Sequence, residues 1–222
     1  MSPGAFVGPR GRTDERDRHD YPDQPAARPG ARPAAPDAPE GTLVPGFSSP
    51  GASPVPWETV RGALERAEIS WISTVRPDGR PHVTPLMTVV ADGRLHVTTG
   101  PDERKARNLA QNARVVLTTG TNAYEDALDV VVEGTAARVT DDAALHRLAE
   151  RWRCKYGDDW AFDVGDGVFL HDGDPALVFA VRPEVVFAYE RTSEHAAMRW
   201  RFDASDGRAV HAVSGEDPGS PR

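Results

Sequence analysis

The sequence predicts a mainly β fold, a small β-barrel with flanking helices. Three observations lead there. At least six short runs rich in β-branched and aromatic residues lie between residues 69 and 202. Consecutive runs are joined by turns of defined chemistry, Pro77-Asp78-Gly79-Arg80 and Ala91-Asp92-Gly93-Arg94. Only three segments space their apolar residues as a helix does. Many short strands, an antiparallel meander and few helices point to a closed or nearly closed barrel. Closure removes the exposed edges that an open sheet leaves.

The elements follow in chain order. Residues 1–55 read as a disordered tail rich in Pro, Ala, Gly and Arg; 12 of the 20 prolines fall within the first 56 residues. Such a segment buries too little apolar surface to offset the entropy of ordering it. A helix is expected over 56–67, capped by Ser53, with Trp57, Val60, Ala63 and Leu64 on one face. Strands over 69–75, 82–90 and 95–99 then form a three-strand meander. Proline presets φ and glycine accepts positive φ in the turns between them. Pro81 and Pro85 donate no ladder hydrogen bond, so the second strand either lies at an edge or bulges at Pro85 and leaves backbone free for a ligand.

A helix over 102–112 comes next, burying Ala106, Leu109 and Ala110. Strands are expected over 114–119 and 128–138, and a helix over 141–156 started by Thr140-Asp141-Asp142. After an irregular aromatic-rich stretch, 176–181 and 184–189 read as a β pair around Arg182-Pro183. A last extended piece covers 198–202. Residues 203–222 read as a second disordered tail, which leaves one domain over 56–202.

Charge and composition narrow the function. A net charge of −8 argues against general nucleic-acid binding. No segment has the apolar core of a signal peptide or approaches the ~20 apolar residues of a membrane helix. A single cysteine, Cys154, allows no internal disulfide and suits the cytoplasm. His82, His96, His146 and His171 are scattered, and no cluster has metal-ligand spacing. A barrel this small fills its interior with side chains, so a large cofactor binds outside it, in a groove between two barrels.

The densest chemistry lies in 98–109. Thr98 and Thr99 end a strand, Gly100-Pro101 breaks it, and Arg104, Lys105 and Arg107 open a helix. Lys105 is one of only two lysines in the chain. Cations at a helix N-terminus oppose the macrodipole, so an anion, most simply a phosphate, is expected beside them. The alternative is a solvated helix face.

Together, Ile72-Ser73-Thr74-Val75, Pro77-Asp78-Gly79-Arg80-Pro81, His82-Val83-Thr84-Pro85, Thr98-Thr99, Arg104-Lys105-Ala106-Arg107-Asn108-Leu109 and Arg199-Trp200-Arg201-Phe202 resemble a known family. They are similar to the flavin-binding split β-barrels of the pyridoxamine 5′-phosphate oxidase type, and more narrowly to an actinobacterial branch that includes deazaflavin-dependent reductases. The resemblance implies a homodimer with FMN or the deazaflavin coenzyme F-420 at the subunit interface. The cofactor phosphate would lie near Lys105, Arg104 and Arg107, with hydroxyl hydrogen bonds from Thr98 and Thr99. His82, Val83, Thr84 and Pro85 would flank the isoalloxazine, and Asn108 belongs to the same matching helix. Trp200 would pack near the ring or seal the interface, or else lie in the core.

The arginines and histidines that grip the substrate phosphate in true pyridoxamine phosphate oxidases are not found, so vitamin B6 oxidation is not implied. The expected activity is hydride transfer to or from a small organic substrate. A proton donor would be Tyr124, Tyr189 or water. The alternatives are a flavin-binding or sensing protein without turnover, and a dimeric module that has lost its cofactor.

Overall fold

The computed structural model describes residues 39, 41–121 and 123–202. The strands are β1 (Thr42–Leu43), β2 (Ser70–Val75), β3 (Pro81–Leu86), β4 (Thr88–Ala91), β5 (Arg94–Thr99), β6 (Arg114–Thr119), β7 (Ala127–Val139), β8 (Asp163–Gly165), β9 (Val168–His171), β10 (Asp174–Arg191) and β11 (His195–Arg201). The helices are α1 (Trp57–Arg66), α2 (Arg104–Gln111) and α3 (Asp142–Tyr156).

All strand pairs are antiparallel, and the main path runs β1-β11-β10-β7-β6-β2-β3. β10 organises the barrel. Its first half pairs β5, its second half pairs β11, and both halves pair β7. The expected β pair around Arg182-Pro183 is therefore one continuous strand. Pro183 does not reverse the chain; it sits where the β7 register shifts, between Pro183 and Val185. A bulge tolerates the missing N–H and bends the strand. Opposite it stands Gly134, where any Cβ would collide with the Arg182 carbonyl.

The expected meander is also corrected. The second strand is interrupted at Met87: its first part, β3, pairs β2, and its second part, β4, pairs β5. β3 ends the main strand path and is an edge. Pro85 stays in register opposite Trp71, so the two prolines mark an edge strand and not a bulge.

Two apolar cores result. Inside the barrel, Ile72, Leu117, Val130, Val132, Val186 and Trp200 are buried, joined by Val60 and Leu64 of α1. Outside it, Leu145, Leu148 and Trp152 of α3 cover Val89, Ala91 and Val178. Each such side chain contributes on the order of 1.5–3 kcal/mol by its burial. The hairpin β8–β9 arises where only irregular chain was expected, and its Phe169 packs edge-on against Trp152 at 5.7 Å. α3 starts as expected, with the Asp141 carboxylate accepting from the Ala144 N–H at 2.7 Å. α1 starts after Pro56 with no side-chain cap, so Ser53 does not play that part.

The tail boundary moves. Thr42 and Leu43 pair with Arg199 and Met198, and Ala52 and Val55 are buried in the barrel core. Residues 41–55 therefore belong to the fold. Their order comes from β11, a partner about 150 residues away in sequence, which their own composition does not reveal. The rest of both expected tails lies outside the described residues. Among the described residues no helix is long and apolar enough to cross a membrane.

Candidate functional site

The site forms where β2, β3 and α2 meet. Alternation along β2 turns Thr74 inward, and it is 1% exposed. The Asn108 Nδ2 of α2 donates to Thr74 Oγ1 at 2.9 Å, and Thr74 Oγ1 donates to the His82 carbonyl at 3.3 Å. This chain of bonds fastens the helix to the β2–β3 hairpin. Asn108 is itself buried, and its Nδ2 is engaged with Thr74.

His82 stands opposite Thr74. Burial pushes its imidazole below the ordinary histidine value, and the positive charges of Arg76, Lys105 and Arg104 push it further the same way. The charges of Arg76, Arg104 and Lys105 thus all act on this imidazole. Two buried polar atoms nearby on the chain, Arg76 Nε and Thr84 Oγ1, have no hydrogen-bond partner. Thr84 shares the His82 face of β3. Unpaired buried donors amid positive charge suit an anionic, hydrogen-bonding ligand.

The helix start differs from the expectation. α2 is preceded by Glu103 as its N-cap residue, yet the carboxylate makes no capping bond to the helix. It turns back, accepting from the Gly100 N–H and the Thr99 hydroxyl, both at 3.2 Å, and from the Lys105 ammonium. Burial alone would raise this carboxyl, but the Lys105 hydrogen bond and charge, with Gly100 and Thr99, bring it below its ordinary value. Lys105 is therefore ion-paired, while Arg104 and Arg107 are exposed.

The remaining expected residues separate. Val83 and Pro85 are exposed on the outer face of β3, away from His82 and Thr84. Thr98 is on the opposite face of β5 from Thr99, so the two hydroxyls do not converge. Trp200 is 1% exposed and packs at 5.4 Å from Trp57. It is a core residue because β11 lies between β10 and β1. Sequence reasoning missed Arg76 and Glu103. The legible signal for Glu103 was a carboxylate three residues after Gly100 and two before Lys105; Arg76 offered none beyond its place at a strand end.

A separate cavity of about 390 Å3 lies between α3 and the β4–β5 hairpin, lined by Arg94, His96, Arg147 and Arg151 among others. His96 is 5% exposed and its Nδ1 has no partner. Burial lowers its imidazole below the ordinary value. Alternation puts Thr98 on the same face of β5, about 6.6 Å further along the strand.

A split, flavin-type β-barrel is thus the class of fold. The sequence matches the pyridoxamine 5′-phosphate oxidase family over residues 56–189, more than half of the chain, and the protein belongs to that family. Compared with curated protein sequences, it gives no significant match. Among solved structures it is similar to a conserved hypothetical protein, Rv2991, from Mycobacterium tuberculosis, with 21% identity and a TM-score of 0.50 over 60% of this chain and 83% of that one. It is also similar to a heme binding protein from Mycobacterium smegmatis, with 16% identity and a TM-score of 0.51 over 63% of this chain and 56% of that one. At these identities the likeness concerns the fold.

Proposed function

We propose that this protein is a flavin-binding oxidoreductase, with FMN as its cofactor, acting on a small organic substrate. One observation carries the reading: the Lys105 ammonium, the Thr99 hydroxyl and the Gly100 N–H converge on one anionic group, the Glu103 carboxylate, with Arg104 exposed next to Lys105 in the chain. Lys105 and Arg104 would hold the phosphate, one as a point charge and the other as a fork. Arg76 Nε and Thr84 Oγ1 would meet polar atoms of the cofactor. When bound, the flavin supplies hydride chemistry that no side chain here offers. The short cationic cluster suits a single phosphate better than the longer anionic tail of coenzyme F-420.

The protein's own residues orient and exclude water. Ile69, Trp71 and Val83 are 46, 50 and 51% exposed on or beside the outer face of β2 and β3. A second copy covering this face would form the homodimer and close the groove.

The test is a parallel absorbance and fluorescence titration with FMN and coenzyme F-420. FMN is expected to bind, and Lys105→Ala to weaken it by roughly 1.5–3 kcal/mol, as for a charged hydrogen bond. Equal affinity in the variant would remove Lys105 from the phosphate site. Binding of F-420 alone would reassign the cofactor. Reoxidation of bound reduced flavin, accelerated by candidate acceptors, separates an enzyme from a binding protein.

A further inference from the structure

We infer that Glu103 is an internal competitor for the phosphate site: its carboxylate occupies the donors a cofactor phosphate would use, and must rotate away for phosphate to enter. This rests on the flavin reading above. The donors are the Gly100 N–H, the Thr99 hydroxyl and the Lys105 ammonium, and all three point at one carboxylate.

Capping explains only part of that conformation. Glu103 makes no bond to the first turn of α2; like a capping-box glutamate it reaches back three residues to a backbone N–H, that of Gly100. The Thr99 hydroxyl and the Lys105 ammonium are further donors that capping does not call for. The donors it satisfies are a backbone amide, a hydroxyl and an ammonium, the set that recognises phosphate oxygens. The carboxylate is thus an anion already seated in an anion cradle.

Like charges exclude one another at such separations. A phosphate dianion and the ionised Glu103 cannot both contact Lys105 Nζ without strong repulsion. The Glu103 side chain is 34% exposed, so water is available to it once displaced, whereas Lys105 is only 14% exposed and stays in place. Arg104 and Arg107, exposed beside the cradle, provide the first landing charges. Glu103 would therefore weaken phosphate-bearing ligands selectively. It would leave ligands with the same ring but no phosphate untouched.

The full-length protein and its Glu103→Gln variant are titrated with FMN and with riboflavin, which lacks the phosphate. Glutamine keeps the size and the acceptor oxygen and removes the charge. Glu103→Ser serves as a second variant, and circular dichroism confirms the fold of each. The expected result is FMN binding tightened about tenfold or more in both variants, with riboflavin changed less than about twofold. Unchanged or weaker FMN binding, with riboflavin still bound, overturns the competitor role and leaves the flavin reading standing. If neither flavin binds any form, the flavin reading falls, and inorganic phosphate decides the inference. Stabilisation of Glu103→Gln but not wild type against heating then upholds an internal competitor for phosphate, and equal response overturns it.

Discussion

The bond between Asn108 and Thr74 should hold α2 in place, and its removal has a calculable cost. Both residues are 1% exposed, and the Nδ2–Oγ1 distance is 2.9 Å. Asn108→Ala deletes a buried hydrogen bond, with a net worth of about 1 kcal/mol, and leaves the Thr74 oxygen without its donor, a further ~1–2 kcal/mol. The sum is about 2–3 kcal/mol. For a domain of this size each kcal/mol moves the melting temperature by about 2–4 °C, so a fall of roughly 5–10 °C is expected. Thermal and urea denaturation would measure it. Thr74→Val supplies the other arm of a double-mutant cycle, and the pair should couple by about 1 kcal/mol because each single change already breaks the bond. A fall under about 2 °C, or strictly additive variants, would refute the view that this bond fastens the helix to the β2–β3 hairpin.

Other outcomes follow from the same structure. Trp200→Ala should cost about 3–5 kcal/mol of folding stability in urea denaturation, as for a buried core aromatic; a cost near zero would place Trp200 outside the core. Gly134→Ala should destabilise by about 1–3 kcal/mol, because its Cβ meets the Arg182 carbonyl at the bulge. Deleting residues 1–55 should lower the melting temperature well below that of a variant lacking only residues 1–40, since Ala52, Val55 and β1 go with the longer cut. His96 is held neutral by burial, with its folded value depressed below 6.5. The unfolded chain therefore binds a proton that the folded one does not, and stability should drop as pH falls below about 6.5. His96→Phe should flatten that acid slope, measured by denaturation at pH 5 to 8; an unchanged slope would assign it to another group.

Local rules determined much of this protein. The turn residues Pro77-Asp78-Gly79 and Asp92-Gly93, the apolar spacing of Leu145, Leu148 and Trp152, and the start signal at Asp141 each act over a few residues, and each element formed where it was expected. The cations at Arg104 and Lys105 were legible at the start of α2; that Lys105 is ion-paired to Glu103 was not.

Tertiary structure decided the rest, because it depends on partners distant in sequence. Whether Pro183 reverses the chain or bends it depends on Gly134 across the sheet. Whether residues 41–55 are ordered depends on β11, and where the Asn108 amide is engaged depends on Thr74. The state of Lys105 turns on a single rotamer, that of Glu103, which brings a carboxylate back onto Thr99 and Gly100. Hydrophobic period and turn chemistry fix which elements exist. The faces they present to one another, and the charges left unpaired between them, emerge only when the chain packs.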